Sequence, residues 1–325
     1  MRPSIEITRV PAADKGGPDT VDVIEGRVTG ARPGQRVVLF AKGRLWWVQP
    51  DAKEPFTEIQ ADSRWKSSTH LGTEYAALLV EPDYRPPLSS DDLVREGAGI
   101  VAATVVPGDS TKKAPHRTIG FSGYDWLVRA APSDRGGRNT YDPANAWTDA
   151  EGKMHLRIAG KAPDWTCAEV SLTRRLGYGT YRFVVRDVAH LEPAAVLSMF
   201  TWDGAAHDQN RREMDVEISR WGDPAAKNAQ FVIQPYYVAA NIVRFTAPPG
   251  VLTHTLRWEP GRVTLRTDRG SGSRGARPIA ERIFTSGVPA PGNETVRMNL
   301  YVFRRSVAPL ERETEVVIEK FEYFP

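Results

Sequence analysis

Glu213-Met214-Asp215-Val216-Glu217 is the stretch on which the fold of this chain turns. As a β-strand it alternates strictly: the three acids share one face, and Met214, Val216 and Ile218 take the other. Carboxylates in line repel one another, so stability alone does not favour the arrangement. Crowding also raises the pKa of one acid against its neighbour, so a protonated and an ionised carboxyl can sit side by side near neutral pH. Four strand steps separate the outer Cα atoms by about 13 Å. Side chains leaning inward by roughly 4 Å each would bring the carboxyls to about 5 Å, the separation used in retaining glycoside hydrolysis. A solvated strand face accounts for the same five residues, and they leave both readings open.

The pattern around this strand is β throughout. The 325 residues include 27 Gly and 25 Pro, which punctuate many short apolar runs. Helix-period stretches are scarce, and the expected fold class is all-β. Ile5–Val10, Val21–Thr29, Arg36–Ala41, Leu45–Gln49, Glu74–Glu81 and Ile100–Val106 are candidate strands of a first unit, residues 1–108. Its size suits an immunoglobulin-like β-sandwich of accessory type. Trp46-Trp47 is its most distinctive feature, one ring expected inward and the other outward, toward a sugar or a neighbouring domain. The polar run Pro107–Pro115 signals a linker, taken as residues 109–117. The second unit begins near Thr118, and from Tyr124 on strand signals recur: Lys153–Ile158, Ala168–Thr173, Tyr181–Arg186, Val196–Trp202, Glu213–Ser219, Gln230–Gln234, His254–Trp258, Arg262–Thr267, Val296–Val302 and Glu315–Tyr323. They predict a concanavalin-like jelly roll over residues 118–325. Arg269–Pro278 is low in complexity and predicts a flexible loop.

Composition excludes several classes. Lys+Arg 43 against Asp+Glu 40 gives +3, interspersed, with no basic block for nucleic acid. The single cysteine, Cys167, excludes an internal disulfide and a Cys-rich zinc site, and reads as a buried, inert thiol. No apolar run reaches membrane-span length, so membrane insertion is not expected. The first residues lack the apolar core of a secretion signal. That fits a cytoplasmic protein or a chain whose leader has been removed, and a polysaccharide substrate favours the second. The sequence contains no H-E-x-x-H, nucleophile elbow, dinucleotide fingerprint or P-loop. No cofactor or metal is implied, and a monomer is expected.

In the second unit several ordered motifs accompany the acid triplet. Ala168-Glu169-Val170-Ser171 is followed by Gly177-Tyr178-Gly179-Thr180-Tyr181, then Ser198-Met199-Phe200-Thr201-Trp202. Ala229-Gln230-Phe231, Trp258-Glu259-Pro260-Gly261 and Met298-Asn299-Leu300-Tyr301 follow the triplet. Together they resemble glycoside hydrolase family 16, the group of lichenases and laminarinases, over roughly residues 118–325. The resemblance implies a retaining, endo-acting hydrolase of a β-linked, β-glucan-like polysaccharide. Glu213 would be the nucleophile, Glu217 the acid/base and Asp215 the neighbour tuning the nucleophile. Trp202, Glu169 and Gln230 would contact sugar. The bland alternatives for these three are a core aromatic, a surface ion pair and a strand-edge amide. A carbohydrate-binding protein that does not cleave, and a transglycosylase, are the competing functions.

The chain departs from the family pattern just before the nucleophile, where Asn210-Arg211-Arg212 stands in place of a Trp. Arg211 and Arg212 would then meet uronate or sulfate groups on the substrate, or neutralise the acid triplet; the second is the simpler reading. Leu252 replaces the hairpin histidine, with His254 close by, and Tyr301 replaces a Trp. No motif for the family's frequent calcium site is evident.

Overall fold

The computed structural model describes residues 2–97, 99–133, 137–204, 210–272 and 277–325. Residues 273–276 of the expected flexible loop lie outside them. The chain divides into two compact units, Met1–His116 and Arg117–Pro325. Among the described residues the only helical elements are two short 3-10 turns, Pro143–Asn145 and Ala239–Asn241.

The first unit contains β1 (Ser4–Arg9), β2 (Val21–Thr29), β3 (Arg36–Lys42), β4 (Trp46–Gln49), β5 (Phe56–Thr57), β6 (Arg64–His70), β7 (Glu74–Val80), β8 (Ser89–Ser90) and β9 (Ile100–Pro107). A three-stranded sheet runs β1-β2-β6, and a second runs β8-β4-β3-β7-β9 with β5 attached to β3. Ile5, Ile24 and Trp65 of the first sheet pack with Val37, Leu39, Tyr75, Ala77 and Leu79 of the second. The opposite face of the second sheet is buried as well, through Val38, Phe40, Trp46, Ala76 and Leu78. This explains why β3 and β7 read as continuous apolar runs rather than alternating ones. Trp46 is buried and Trp47 half-buried, as adjacent strand residues must differ. Residues 109–117 carry fixed bonds: Asp109 N donates to Pro11 O at 2.9 Å, and the His116 ring meets Asp14 at 2.9 Å and Thr20 at 3.0 Å.

The second unit contains β10 (Arg117–Phe121), β11 (Tyr124–Val128), β12 (Thr140–Tyr141), β13 (Ala146–Thr148), β14 (Met154–Ile158), β15 (Thr166–Leu172), β16 (Gly179–Val185), β17 (Ala195–Trp202), β18 (Met214–Ile218) and β19 (Ala229–Ile233). It continues with β20 (Ile242–Phe245), β21 (Leu252–Glu259), β22 (Arg262–Arg269), β23 (Ala280–Phe284), β24 (Thr295–Val302) and β25 (Thr314–Phe324). One sheet runs β10-β11-β15-β24-β17-β18-β19-β20, with β12 pairing β15; the other runs β13-β14-β25-β16-β21-β22-β23. Their facing sides form one core. Val170, Leu197, Met199, Val216, Phe231 and Met298 from the first sheet join Leu156, Phe183, Leu256, Trp258 and Leu265 from the second. Cys167 belongs to this core, and burial pushes its thiol up to about 12, which leaves it inert.

Alternation then fixes the other side of the first sheet. With Met214, Val216 and Ile218 inward, Asp215 and Glu217 must point outward, and Glu213 continues that row. The apolar inner face therefore decides where the acids project.

Candidate functional site

Cross-strand register assembles a row of polar residues over this outer face. Glu169 lies opposite Asn299, Asn299 opposite Ser198, Ser198 opposite Glu217, Glu217 opposite Gln230, and Gln230 opposite Arg244. Five central strands thus contribute one side chain each, and the edge strand β20 contributes the sixth. In the next row Asp215 is flanked by Phe200 and Val232. The face also carries Trp202, which the Arg211 guanidinium covers at 5.3 Å.

Both oxygens of Glu217 accept hydrogen bonds. Ser198 Oγ donates to Oε1 at 3.1 Å and Gln230 Nε2 to Oε2 at 2.5 Å. Arg244 Nε donates to Gln230 Oε1 at 3.2 Å, which fixes the amide so that its NH2 points at the carboxylate. Arg244 itself packs over the Trp221 ring at 4.6 Å. Gln230 therefore holds Glu217 directly.

Glu169 is engaged elsewhere. It accepts from Arg297 Nη1 at 2.7 Å, Arg129 Nη1 at 3.1 Å and Asn299 Nδ2 at 3.2 Å. All four side chains are buried. The ion pair foreseen for Glu169 is thus present, but with two partners and in the interior.

The chain reaches Glu213 through an unusual bend. Arg211 and Arg212 are consecutive non-glycine residues in the left-handed region, at φ 47° and 53°; each such residue costs about 1–2 kcal/mol. Buried Asp203 holds the bend from both sides. Its backbone N donates to Arg211 O at 2.7 Å, and its Oδ2 accepts from Arg212 Nη1 at 2.6 Å and from Asn293 N at 3.0 Å. Arg212 Nε donates to Ala290 O at 3.0 Å. The guanidinium leaves no room for a side chain at residue 292: a Cβ on Gly292 would lie 2.5 Å from its Nε. Thr201 Oγ1 donates to Arg212 O at 2.6 Å and accepts from Met214 N at 3.2 Å, splicing the bend into β18. The expectation that both arginines neutralise the triplet is corrected for Arg212, whose charge goes to Asp203. Arg211 donates to Gly204 O at 3.1 Å besides covering Trp202.

All three acids are buried, at 5%, 1% and 7% exposure for Glu213, Asp215 and Glu217, and of the three Glu213 lines a depression of about 290 Å³. Asn210, Arg212, Gln234, Gly287, Pro289 and Ala290 complete its lining. Pro289 is held by the fully buried Trp258, whose indole Nε1 donates to its carbonyl at 3.0 Å. Gln234 N donates to Glu213 O at 3.1 Å, tying the end of β19 to the start of β18. Among the described residues no group of three or more His, Cys, Asp or Glu side chains is placed to hold a metal ion.

The structure thus brings Glu213, Asp215, Glu217, Trp202, Gln230, Glu169 and Arg211 onto one face or its rim. Sequence reasoning missed Ser198, Asp203, Arg129, Arg244, Arg297 and Gln234. The alternation of β17, β19 and β24 could have marked Ser198, Gln234 and Arg297 as outward; nothing local marks Asp203 or Arg129.

The chain is similar in structure to Bacillus licheniformis β-glucanase, at 18% identity over 66% of this chain and 100% of that one, TM-score 0.49. A family 16 glycosyl hydrolase protein from Mycobacterium smegmatis is 15% identical over 63% of this chain and 96% of its own, TM-score 0.46. An immunostimulatory antigen and pseudo β-1,3-glucanase of Mycobacterium tuberculosis is 15% identical over 63% and 95%, TM-score 0.48. No protein-family model and no curated protein sequence matches the chain.

Proposed function

We propose that the second unit, a jelly roll, is a retaining, endo-acting hydrolase of a β-linked glucan-like polysaccharide, with Glu213 as nucleophile and Glu217 as acid/base. The observation that carries this reading is the shared outward face of Glu213, Asp215 and Glu217, with Glu213 opening on the depression. In the first step a Glu213 oxygen forms a bond to the anomeric carbon as the glycosidic C–O bond breaks, and Glu217 gives its proton to the leaving oxygen. In the second, water attacks that carbon, Glu217 takes the water's proton, and the ester to Glu213 breaks. Asp215 lies between the two and tunes the charge of the nucleophile. Trp202 and Gln230 border the reacting sugar. A polymeric substrate implies action outside the cytoplasm. E213Q should abolish reducing-sugar release from barley β-glucan and laminarin while leaving the urea unfolding midpoint unchanged; undiminished release would remove Glu213 from its role.

A second reading, glycan binding without cleavage, is favoured by one observation. Ser198 and Gln230 already hydrogen-bond both Glu217 oxygens, one of which the first step needs turned to the leaving oxygen. Binding of both polymers without sugar release by the wild type would select this reading. Product analysis with added oligosaccharide acceptors separates hydrolysis from glycosyl transfer.

We also infer that the first unit, residues 1–108, is an immunoglobulin-like accessory domain. Its strand order supports this, as does buried Tyr75 near the start of β7. The Tyr75 hydroxyl accepts from Gly72 N at 2.9 Å and donates to Ala12 O at 2.7 Å, a corner typical of that architecture.

A further inference from the structure

We propose that Arg244, laid over Trp221 at the β20 end of the polar row, is the centre of a binding site for an anionic group, a carboxylate or a sulfate, on a sugar beside the one at Glu217. This rests on the glycan-active reading above and names the substrate class: a glucan-like chain that carries acidic substituents.

Trp221 is a fixed floor. Its backbone lies in the left-handed region, at φ 46°, which an aromatic residue adopts only where its surroundings hold it there. Trp221 N donates to Ser219 Oγ at 2.9 Å, Gly222 N donates to Pro193 O at 2.8 Å, and the half-buried ring packs against the core. The exposed Arg244 guanidinium covers that ring at 4.6 Å, and its Nε donates to Gln230 Oε1 at 3.2 Å. The ring below and the amide beside it fix the plane of the guanidinium. Among the described residues Nη1 and Nη2 bond to no protein group. Those two nitrogens form the edge that grips a carboxylate or a sulfate through parallel hydrogen bonds. An arginine held in place beforehand loses little freedom when it takes an anion.

Charge decides what the site takes. Lys227 Nζ donates to Arg244 O at 3.2 Å, and Arg220 Nη1 donates to Pro224 O at 3.3 Å and to Ala226 O. Among the described residues the partners of Arg220, Lys227 and Arg244 are all neutral, and no carboxylate forms an ion pair with them. Asp223 is the one acid of residues 220–227, and it accepts from Ala225 N at 2.9 Å. The patch is therefore positive. On its inner side the Gln230 amide separates Arg244 from Glu217, 2.5 Å from the carboxylate and 3.2 Å from the guanidinium. An anion on the outer edge of Arg244 is kept roughly 8–10 Å from Glu217, a separation at which salt screens most of their repulsion. The acidic group thus belongs to a neighbouring ring and not to the one being cut.

Affinity electrophoresis in native gels containing laminarin, carboxymethyl-laminarin or laminarin sulfate tests the site. Every protein compared is the full chain with E213Q to prevent turnover, so residue 213 is the same throughout. E213Q should be retarded more by an acidic laminarin than by laminarin itself, and the acid held more tightly names the substituent. Adding R244M keeps an apolar cover on Trp221 but removes the charge. It should cut the preference, the ratio of the two Kd values, roughly tenfold, the equivalent of about 1.4 kcal/mol. K227M should lower the ratio in the same direction. K161M removes the same charge from an exposed position in the turn between β14 and β15 and should leave the ratio unchanged. An equal loss with K161M would reveal a general attraction of a basic chain for polyanions and overturn the site. An unchanged ratio with R244M, or no preference in E213Q, overturns it as well. Unfolding midpoints of all variants confirm that the comparison is between folded proteins. Sugar release from laminarin by the wild type, with no preference for the acidic forms, would sink the anion site alone. An Arg244-dependent preference without sugar release from any of the three polymers would keep the site and remove the hydrolase reading.

Discussion

Asp203 shows how a single residue can hold the approach to Glu213 without touching its carboxylate. It sits at the end of β17, buried, and gathers Arg212, Asn293 and the backbone of Arg211. Two successive left-handed arginines are unfavourable on their own, and these bonds offset the cost. With D203A the Arg212 guanidinium, about a third exposed, loses its anion and the bend loses its anchor. Urea denaturation should then show a loss of roughly 2 kcal/mol, and the rate of sugar release should fall at least tenfold through displacement of Glu213. Substitution of Gly292 by Ala should act in the same direction, since the added methyl would meet the guanidinium.

At the scale of the element, the β21–β22 hairpin carries a pH dependence. His254 and Thr267 lie opposite each other, and the ring Nδ1 meets Thr267 Oγ1 at 2.9 Å. His254 is wholly buried, and desolvation pushes its pKa down to about 4 from 6.5, against the opposing pull of Asp268. The unfolded chain therefore binds a proton below about pH 6.5 that the folded chain refuses until about pH 4. Stability contributed by the neutral ring is complete above pH 6.5 and is lost as the pH falls through that window, to a total of roughly 3 kcal/mol. H254N removes the titration, so its unfolding free energy should fall less steeply between pH 6.5 and 4 than that of the wild type. Equal slopes would show that His254 is not the group responsible. The hairpin was legible as two strands, because apolar residues alternate along Leu252–Glu259 and Arg262–Arg269. β6 was not. Arg64–His70 places Trp65 and Thr69 inward and is otherwise polar, so pairing with β2 rather than its own periodicity makes it a strand. The hairpin β10–β11 and the edge strands β20 and β23 escaped for a similar reason: each is short, and an edge strand has one neighbour to hide its polar residues.

Over the whole second unit, the Glu169 cluster joins residues far apart in the chain. Arg129 and Arg297 stand 40 and 128 residues away from Glu169 and meet it only because β15 lies between β11 and β24. With E169Q two buried guanidiniums lose their shared anion, and an uncompensated buried charge costs about 3–5 kcal/mol. E169Q should therefore appear chiefly as a drop in unfolding free energy. Weakened glucan retention at unchanged stability would instead restore Glu169 to the role of sugar contact.

The sequence by itself determined that the chain is β-rich, that the three acids share a face, and that this face turns away from the core. Those properties follow from a side-chain period of two and from the apolar residues between the acids, so neighbours in the chain suffice to read them. Only the tertiary structure decided which groups surround the acids: Ser198 and Gln230 on Glu217, Asp203 behind Glu213, and two arginines on Glu169. Hydrogen bonds and ion pairs act over a few ångströms of space, and strand order, which no local pattern encodes, sets which distant residues come within that range.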